Sequence, residues 1–318
     1  TRATRRPTTK SPTNAPTRAT RRPTTQPPTD APTDVAQCSC TTQKRVPSLC
    51  EVNLLITFME AAVKRDLKLS AQWLRLAFHD AGTFHQETKE GGPNGCLLTN
   101  AAMRDEDENL HLDLPINTLV VIKRNWENHL KTCVRVSSAD IIQFAGFFAS
   151  LRQVGALPGL NEQKRNQLKT FEWGRSDMRN CRTTWARNLP GFQLGNADEG
   201  IAVRCKLAGV EIEDKLMKRN GFTAEEACAL IGAHTIGLTR NTFGSFLAGP
   251  WVTNGKDDAT PNGPIFDNAY FDFLENSIPA KTAAEFEEDI SPFTDPFPDW
   301  FRDTPRDLNH LDTDLTLA

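Results

Sequence analysis

Residues 72–80 have the sequence QWLRLAFHD, and this stretch decides how the whole chain is interpreted. In a helix, Arg75 and His79 lie four positions apart on one face, with Phe78 beside them. The stretch therefore places a permanently charged donor next to a base that titrates near neutral pH. Cleavage of an O–O bond uses such a pair, because one group moves a proton while a cation stabilises the developing charge. The alternative is a surface arginine beside a half-buried histidine.

A second histidine lies in residues 223–237, TAEEACALIGAHTIG. Thr223 and Glu226 have the spacing of a capping box, which predicts a helix start. His234 follows about three turns later beside small residues such as Gly232, which let a flat ligand approach the backbone. A neutral imidazole is a suitable axial ligand for haem iron. The alternative is a core histidine at a helix end.

The globular part of the chain is predicted to be all-α, because apolar residues recur at steps of three and four and alternating segments are scarce. Three apolar stripes carry this prediction: Val52, Leu55, Phe58, Met59, Ala62 and Val63; Leu119, Ile122, Trp126 and Leu130; and Ile141, Phe144, Phe148 and Leu151. Stretches rich in Gly, Pro and Asn predict loops at 90–100, 155–161 and 251–264.

The N-terminus is a repeat, since residues 1–16 recur almost unchanged as 17–32. Its Thr, Pro and Arg composition predicts a disordered stalk over 1–37, followed by one domain over 38–318. Residues 1–34 carry a net charge of +5, which leaves −8 on the remainder. An acidic globule is a poor nucleic-acid binder, and no apolar run is long enough to span a membrane. We expect neither function.

Eight cysteines follow the repeat, at positions 38, 40, 50, 96, 133, 181, 205 and 228. An even number beside a Thr/Pro stalk favours disulfides and an oxidising compartment, so we expect a secreted protein. Cys228 lies on the apolar stretch 227–231 and is expected to be a free, buried thiol.

Together, the two histidine segments resemble the distal and proximal signatures of the plant, fungal and bacterial haem peroxidase superfamily. The resemblance runs from about Cys50 to the C-terminus. It implies a helical fold that holds haem b between a distal and a proximal half. Further segments agree with the family in the same order: 138–146, 174–177, 188–190, 265–271 and 312–315.

The resemblance assigns roles to individual residues. Arg75 and His79 match the distal catalytic pair, and Phe78 matches the distal aromatic residue. The amide oxygen of Asn109 is expected to accept from the other ring nitrogen of His79, the alternative being an ordinary loop residue.

On the proximal side, the resemblance makes His234 the iron ligand. Trp251 and Asp314 complete the proximal group, with Asp314 accepting from the imidazole N–H. For Trp251, radical chemistry and simple packing are equally open.

The resemblance also bears on metal ions. A proximal K⁺ or Ca²⁺ would use Thr235, Thr253 or Asn254, and Asp267, the alternative being a hydrogen-bonded loop. The distal calcium set of the secreted enzymes corresponds here to Asp80, Gly92, Asn94 and Cys96. Asparagine lacks the charge and sulfur is too soft for calcium, so the distal loop resembles the calcium-free form.

The sequence combines features of two branches of this superfamily. Phe78 is typical of the secreted enzymes, whereas Trp251 is typical of the intracellular branch of cytochrome c and ascorbate peroxidases. Phe243 stands near the position of the ascorbate-binding arginine, which argues against ascorbate as donor. The plant secreted enzymes imply a Cys50–Cys133 disulfide, and Cys181–Cys205 is a plausible second. The family continues beyond the proximal aspartate, so a fragment or truncated form is expected.

The sequence thus predicts a secreted, monomeric enzyme that reduces hydrogen peroxide and oxidises a small donor in one-electron steps. The alternative is a secreted haem-binding or wall-anchoring protein without catalysis. A two-histidine metal hydrolase is disfavoured, because the close carboxylate ligands that it needs are missing from the sequence.

Overall fold

The computed structural model describes residues 45–131, 133–154, 159–190, 210–236 and residue 271. Within these ranges the chain is helical and contains no β-strand, and His85 and Glu90 form an isolated antiparallel bridge. The α-helices are α1 Leu49–Arg65, α2 Lys68–Ala81, α3 Cys96–Thr99, α4 Ala101–Arg104, α5 Asp113–His129, α6 Ser138–Gln153, α7 Glu162–Leu168 and α8 Ala224–Ile231. Short 3-10 helices span Asp107–Asn109, Thr183–Asn188 and Gly232–Thr235, and a π-helix spans Glu213–Arg219.

The three apolar stripes form α1, α5 and α6, so the all-α prediction is confirmed for the described residues. Ser48 and Glu51 make a capping box at the start of α1, and Ser137 accepts from the Asp140 N–H at the start of α6. The predicted loop 90–100 is partly wrong, because α3 lies within it. The stalk and the loop 251–264 lie outside the described residues.

The core is organised around α2 and α6, which pack lengthwise against each other. Gly146 lies so close to α2 that a β-carbon there would be 2.4 Å from the β-carbon of Ala77. The Gln143 side chain donates to the Ala77 carbonyl at 3.1 Å and also bonds to Asp80. Because later residues of α6 meet earlier residues of α2, the two helices run antiparallel. This contact fixes the position of the 72–80 segment.

Replacing Gly146 with valine is expected to destabilise the protein. The added carbons would overlap Ala77 at the helix crossing, and overpacking of a close-packed core lowers the free energy of unfolding by about 3 kcal/mol. Urea unfolding followed by circular dichroism measures the loss. The matched control is Ser150→Val on the same helix, where the side chain is only half-buried and bonds to the Phe147 carbonyl. Equal losses in the two variants would contradict the close crossing.

A disulfide joins Cys96 at the start of α3 to Cys181, which precedes the Thr183–Asn188 helix. The expected Cys181–Cys205 bond is therefore wrong. Cys50 and Cys133 are both disulfide-bonded, but no bond joins them, so the partner of each lies outside the described residues and that pairing is wrong as well. Both expectations failed because pairing depends on tertiary proximity. Cys228 is a free thiol, as predicted, but it is only half-buried.

The segment 174–177 forms a turn that fixes the start of α6. Buried Asp140 accepts from the backbone N–H groups of Gly174 at 2.9 Å and Arg175 at 3.1 Å. Asp177 in turn accepts from the Ala139 N–H at 2.9 Å. The bond to Asp177 satisfies an N–H group that the start of α6 leaves free, and the bonds to Asp140 tie the turn to that helix start.

Among the residues that the structure describes, none of the helices has the length and apolar character that crossing a membrane requires.

Candidate active site

His79 is held by a side-chain relay on the distal side. Its Nδ1 lies 3.0 Å from Oδ1 of Asn109, whose own Nδ2 donates to the Met103 carbonyl at 2.7 Å. The second bond fixes which end of the Asn109 amide faces the imidazole, and Oδ1 only accepts. Nδ1 therefore carries the ring proton, and Nε2 of the neutral imidazole is the basic nitrogen.

Arg75 lies one turn before His79 on the same face of α2 and is held by the same short segment. Its guanidinium donates to the carbonyls of Leu110 at 2.9 Å and Glu108 at 3.2 Å. These two residues flank Asn109 in the chain. One 3-10 turn thus fixes the position of both the base and the cation, which the sequence could only predict separately.

The electrostatics keep His79 neutral. Burial lowers its pKa well below the ordinary 6.5, and the positive charge of Arg75 lowers the pKa further. The hydrogen bond that His79 donates to Asn109 opposes this shift, and the charge of His234 adds to it. The effect of His234 shows that the two histidines lie within electrostatic range of each other. At neutral pH His79 is therefore available as a proton acceptor.

His234 lies on the tighter turn that follows α8. The capping box of Thr223 and Glu226 starts α8 as predicted, but α8 ends at Ile231, and His234 lies in the 3-10 helix Gly232–Thr235. The absence of a side chain on Gly232 matters, because a β-carbon there would lie 2.6 Å from the ring of Phe271. The ring of Phe271 therefore packs directly on the turn that carries His234.

Phe78 connects the two halves of the site. Its ring meets the His79 ring edge-on at 6.0 Å between centroids. It also packs against a small apolar cluster on the His234 side, formed by Ile212, Leu216 and Ala227. The predicted distal aromatic residue therefore touches elements of both halves.

A set of polar contacts, which we call the edge clamp, ties the loop after α2 to the π-helix. The sequence interpretation missed it. Gln86 bonds through its side chain to the Lys218 carbonyl and through its backbone to the Arg219 carbonyl, both at 2.6 Å. Asn188 donates to the Thr83 carbonyl at 2.8 Å and accepts from Arg219 at 3.0 Å. The one sequence signal for this clamp is that Asn188 lies in the segment 188–190 that resembles the family.

The four positions of the distal calcium set are occupied by other interactions. Both carboxylate oxygens of Asp80 accept from the Gly95 N–H, at 3.1 and 3.2 Å. The Asn94 side-chain oxygen accepts from the Cys96 N–H, while the Cys96 sulfur is in a disulfide. The Gly92 carbonyl lies 3.5 Å from the Thr83 hydroxyl. The loop is thus closed by its own hydrogen bonds.

The buried carboxyl group of Asp80 should make the stability of the protein depend on pH. Burial raises its pKa from 3.8 to about 7, although the bond from Gly95 opposes the shift. Between these two pKa values the folded state binds more protons than the unfolded state, so the free energy of unfolding falls as the pH rises from about 4 to 7. Asp80→Asn should flatten this fall and stabilise the protein at pH 8 by up to about 4 kcal/mol. Urea unfolding between pH 5 and pH 8 measures the free energy of unfolding, with Asp105→Asn at an exposed position as the control. Parallel plots of this free energy against pH for Asp80→Asn and wild type would contradict the raised pKa of Asp80.

Several predicted site residues lie outside the described residues: Trp251, Thr253, Asn254, Asp267, Asp314 and Phe243. Of the proposed proximal cation ligands the structure describes Thr235 alone, which is buried. Within the described ranges no group of three His, Cys, Asp or Glu side chains forms a metal site. The iron-ligand role of His234 and the proximal cation stay predictions.

The sequence of this chain is similar to those of known proteins. A sequence profile of the family described as Peroxidase matches residues 55–317. The cytosolic L-ascorbate peroxidase 1 of Oryza sativa subsp. indica is 29% identical over 198 residues, which cover 62% of each chain. The cytosolic L-ascorbate peroxidase 2 of Arabidopsis thaliana is 30% identical, over 62% of this chain and 61% of its own. The mitochondrial cytochrome c peroxidase of Aspergillus fumigatus is 28% identical, over 63% of this chain and 44% of its own. The matches thus span about three fifths or less of these relatives' lengths.

Proposed function

Because the chain belongs to the peroxidase family, we propose that it is a haem peroxidase that reduces hydrogen peroxide to water. A small donor supplies the two electrons in one-electron steps. The observation that supports this most strongly is the fixed His79–Asn109 pair beside Arg75, with His234 within electrostatic range. The names of the ascorbate and cytochrome c peroxidases that the chain resembles agree with this chemistry.

The described residues fit a haem group. His234 offers an imidazole on a turn whose neighbours Gly232 and Ala233 carry little side-chain bulk of their own, with the ring of Phe271 packed against Gly232. Phe78 lies next to His79 and supplies an apolar surface on the opposite side. Haem held there would supply an iron for the peroxide and the two electrons that reduce it, which the donor then replaces. Trp251 and Asp314 are proposed to complete the proximal group.

The protein's own contribution is proton transfer and charge stabilisation. Nε2 of His79 would take the proton from one oxygen of hydrogen peroxide and return it to the other, which leaves as water. Nδ1 stays protonated throughout, because Asn109 accepts its hydrogen bond. The guanidinium of Arg75 stabilises the negative charge that grows on the departing oxygen.

We further propose that the protein is secreted, acts as a monomer and uses a donor other than ascorbate. The Cys96–Cys181 disulfide supports an oxidising compartment, as do the bonded Cys50 and Cys133. The relatives' names place them in the cytosol or mitochondrion, so this proposal rests on features of the present chain. Phe243, in place of an ascorbate-binding arginine, supports a different donor.

Steady-state turnover of the full chain loaded with haem tests the proposal. Donors to compare are ABTS, guaiacol, ascorbate, reduced cytochrome c and Mn(II), each with hydrogen peroxide. We expect oxidation of a small phenolic or dye donor, with ascorbate slower. A haem spectrum without oxidation of any donor would favour the second candidate, a non-catalytic haem-binding or wall-anchoring protein, for which the N-terminal repeat is the supporting observation.

A further inference from the structure

Arg152, in the last turn of α6, is a buried cation without a partner. Its side chain is 8% exposed, and its Nη1 is inaccessible to solvent. Within the described part of the chain its guanidinium makes no hydrogen bond and no ion pair. Burying an unpaired charge is strongly unfavourable, and a native structure normally supplies a counter-ion.

Gln153, the next residue, is fully buried and equally unsatisfied. Neither its Nε2 nor its Oε1 has a hydrogen-bond partner. The hydroxyl of Ser70 in the first turn of α2 is also buried without a partner. Since α2 and α6 cross antiparallel at Ala77 and Gly146, Ser70 and Gln153 each lie seven positions from the crossing. The helical rise places them at the same level, about 10 Å from the crossing.

The surroundings of Arg152 carry excess positive charge. Glu60 is the carboxylate that acts on it, but Glu60 is already paired with Arg165. The Lys164 amino group donates to the carbonyls of Val154 and Gly159, next to the end of α6. Burial and the charge of Arg152 together lower the pKa of Lys164. Arg152 and Arg165 therefore share one carboxylate, and Lys164 adds a further positive charge near Arg152, so this region attracts an anion.

We propose that Arg152, Gln153 and Ser70 form a binding site for a small oxyanion that carries a proton, such as hydrogen phosphate. The unpaired donors on Arg152 and Gln153 need oxygen acceptors, and Oε1 of Gln153 needs a donor. A protonated oxyanion supplies acceptors, a donor and the compensating charge together. Chloride and sulfate have no proton to donate, water brings no charge, and a metal cation would be repelled. The site lies at the end of α2 away from His79 and is independent of the peroxidase proposal.

Thermal unfolding of the full haem-loaded chain tests the site. Samples contain either 20 mM inorganic phosphate or sodium chloride at the same ionic strength, both at pH 7. A ligand that binds only the folded state should raise the Tm by about 4 °C in phosphate, and less in sulfate. The full chain also carries the basic N-terminal repeat, so the comparison depends on variants of Arg152.

Arg152→Met keeps an unbranched apolar stem and removes the charged guanidinium. It should abolish the phosphate shift and be more stable than wild type in chloride, because the unpaired charge is gone. The control Arg124→Met, at an exposed position on α5, should keep the full shift. Gln153→Met should weaken phosphate binding at least 10-fold, as measured by isothermal titration calorimetry. This variant tests the site if Arg152→Met fails to fold.

Three results would overturn the proposal. The first is a wild-type protein whose Tm is the same in phosphate and chloride, since the buried groups would then bind water alone. The second is an equal phosphate shift in wild type and Arg152→Met, which would place the anion elsewhere. The third is an Arg152→Met protein less stable than wild type in chloride, which would show that the guanidinium has a protein partner.

Discussion

Replacing His79 with leucine should lower the second-order rate constant for reaction with hydrogen peroxide by about 10³–10⁴-fold, while haem stays bound. Loss of a positioned general acid–base group has an effect of this size. Leucine keeps the bulk beside Phe78 but cannot accept a proton, and Asn109 keeps its bond to the Met103 carbonyl. Stopped-flow absorbance at the Soret band measures the rate constant.

The pH profile separates proton transfer from a structural effect. Because the pKa of His79 is held well below 6.5, the wild-type rate should stay constant near neutral pH and fall only in acid. His79→Leu should lose this acid limb. His129→Leu, at an exposed position on α5, is the control and should behave as wild type. A His79→Leu protein as fast as wild type would remove His79 from the mechanism.

Replacing His234 with alanine should speed the loss of haem by more than about 100-fold. Altering only a residue that supports a metal ligand already weakens binding 10–100-fold, and removal of the ligand has a larger effect. Transfer of haem to excess apomyoglobin measures the rate without depending on peroxidase activity. Added imidazole should restore the Soret spectrum of the variant, since it replaces the missing side chain.

Cys228→Ala on α8 is the control for His234, since it changes a half-buried residue on the helix that directly precedes the His234 turn. It should lose haem at the wild-type rate. If His234→Ala retained haem as firmly as Cys228→Ala, the iron ligand would have to be another residue.

The parts of the structure that depend on local pattern could be predicted from the sequence. Apolar residues at helical spacing predicted α1, α5 and α6, and the Thr223–Glu226 spacing predicted the start of α8. The bond between His79 and Asn109 joins residues 30 apart in the chain, yet the chemistry of an imidazole that needs one fixed tautomer indicated it.

The disulfides could not be predicted. Eight cysteines allow 105 complete pairings, and spacing alone does not choose among them. The sequence does not predict the Cys96–Cys181 bond, because the distance between these residues depends on how α3 and the segment before Trp185 pack in the folded protein.

The edge clamp was also invisible in the sequence. Gln86 and Lys218 are 132 positions apart, and their bond joins a side chain to a backbone carbonyl, which leaves no periodic pattern. The π-helix that presents those carbonyls has an ordinary helical composition, so its wider turn depends on packing.

The most direct test of the central claim is the addition of hydrogen peroxide to the full haem-loaded chain. The Soret band is followed by stopped flow, and oxygen is followed with an electrode. We predict a second-order change in the Soret band, oxidation of two equivalents of a one-electron donor per peroxide, and no release of oxygen. A Soret band that does not respond to peroxide, with no donor oxidised, would contradict the claim that this chain is a peroxidase.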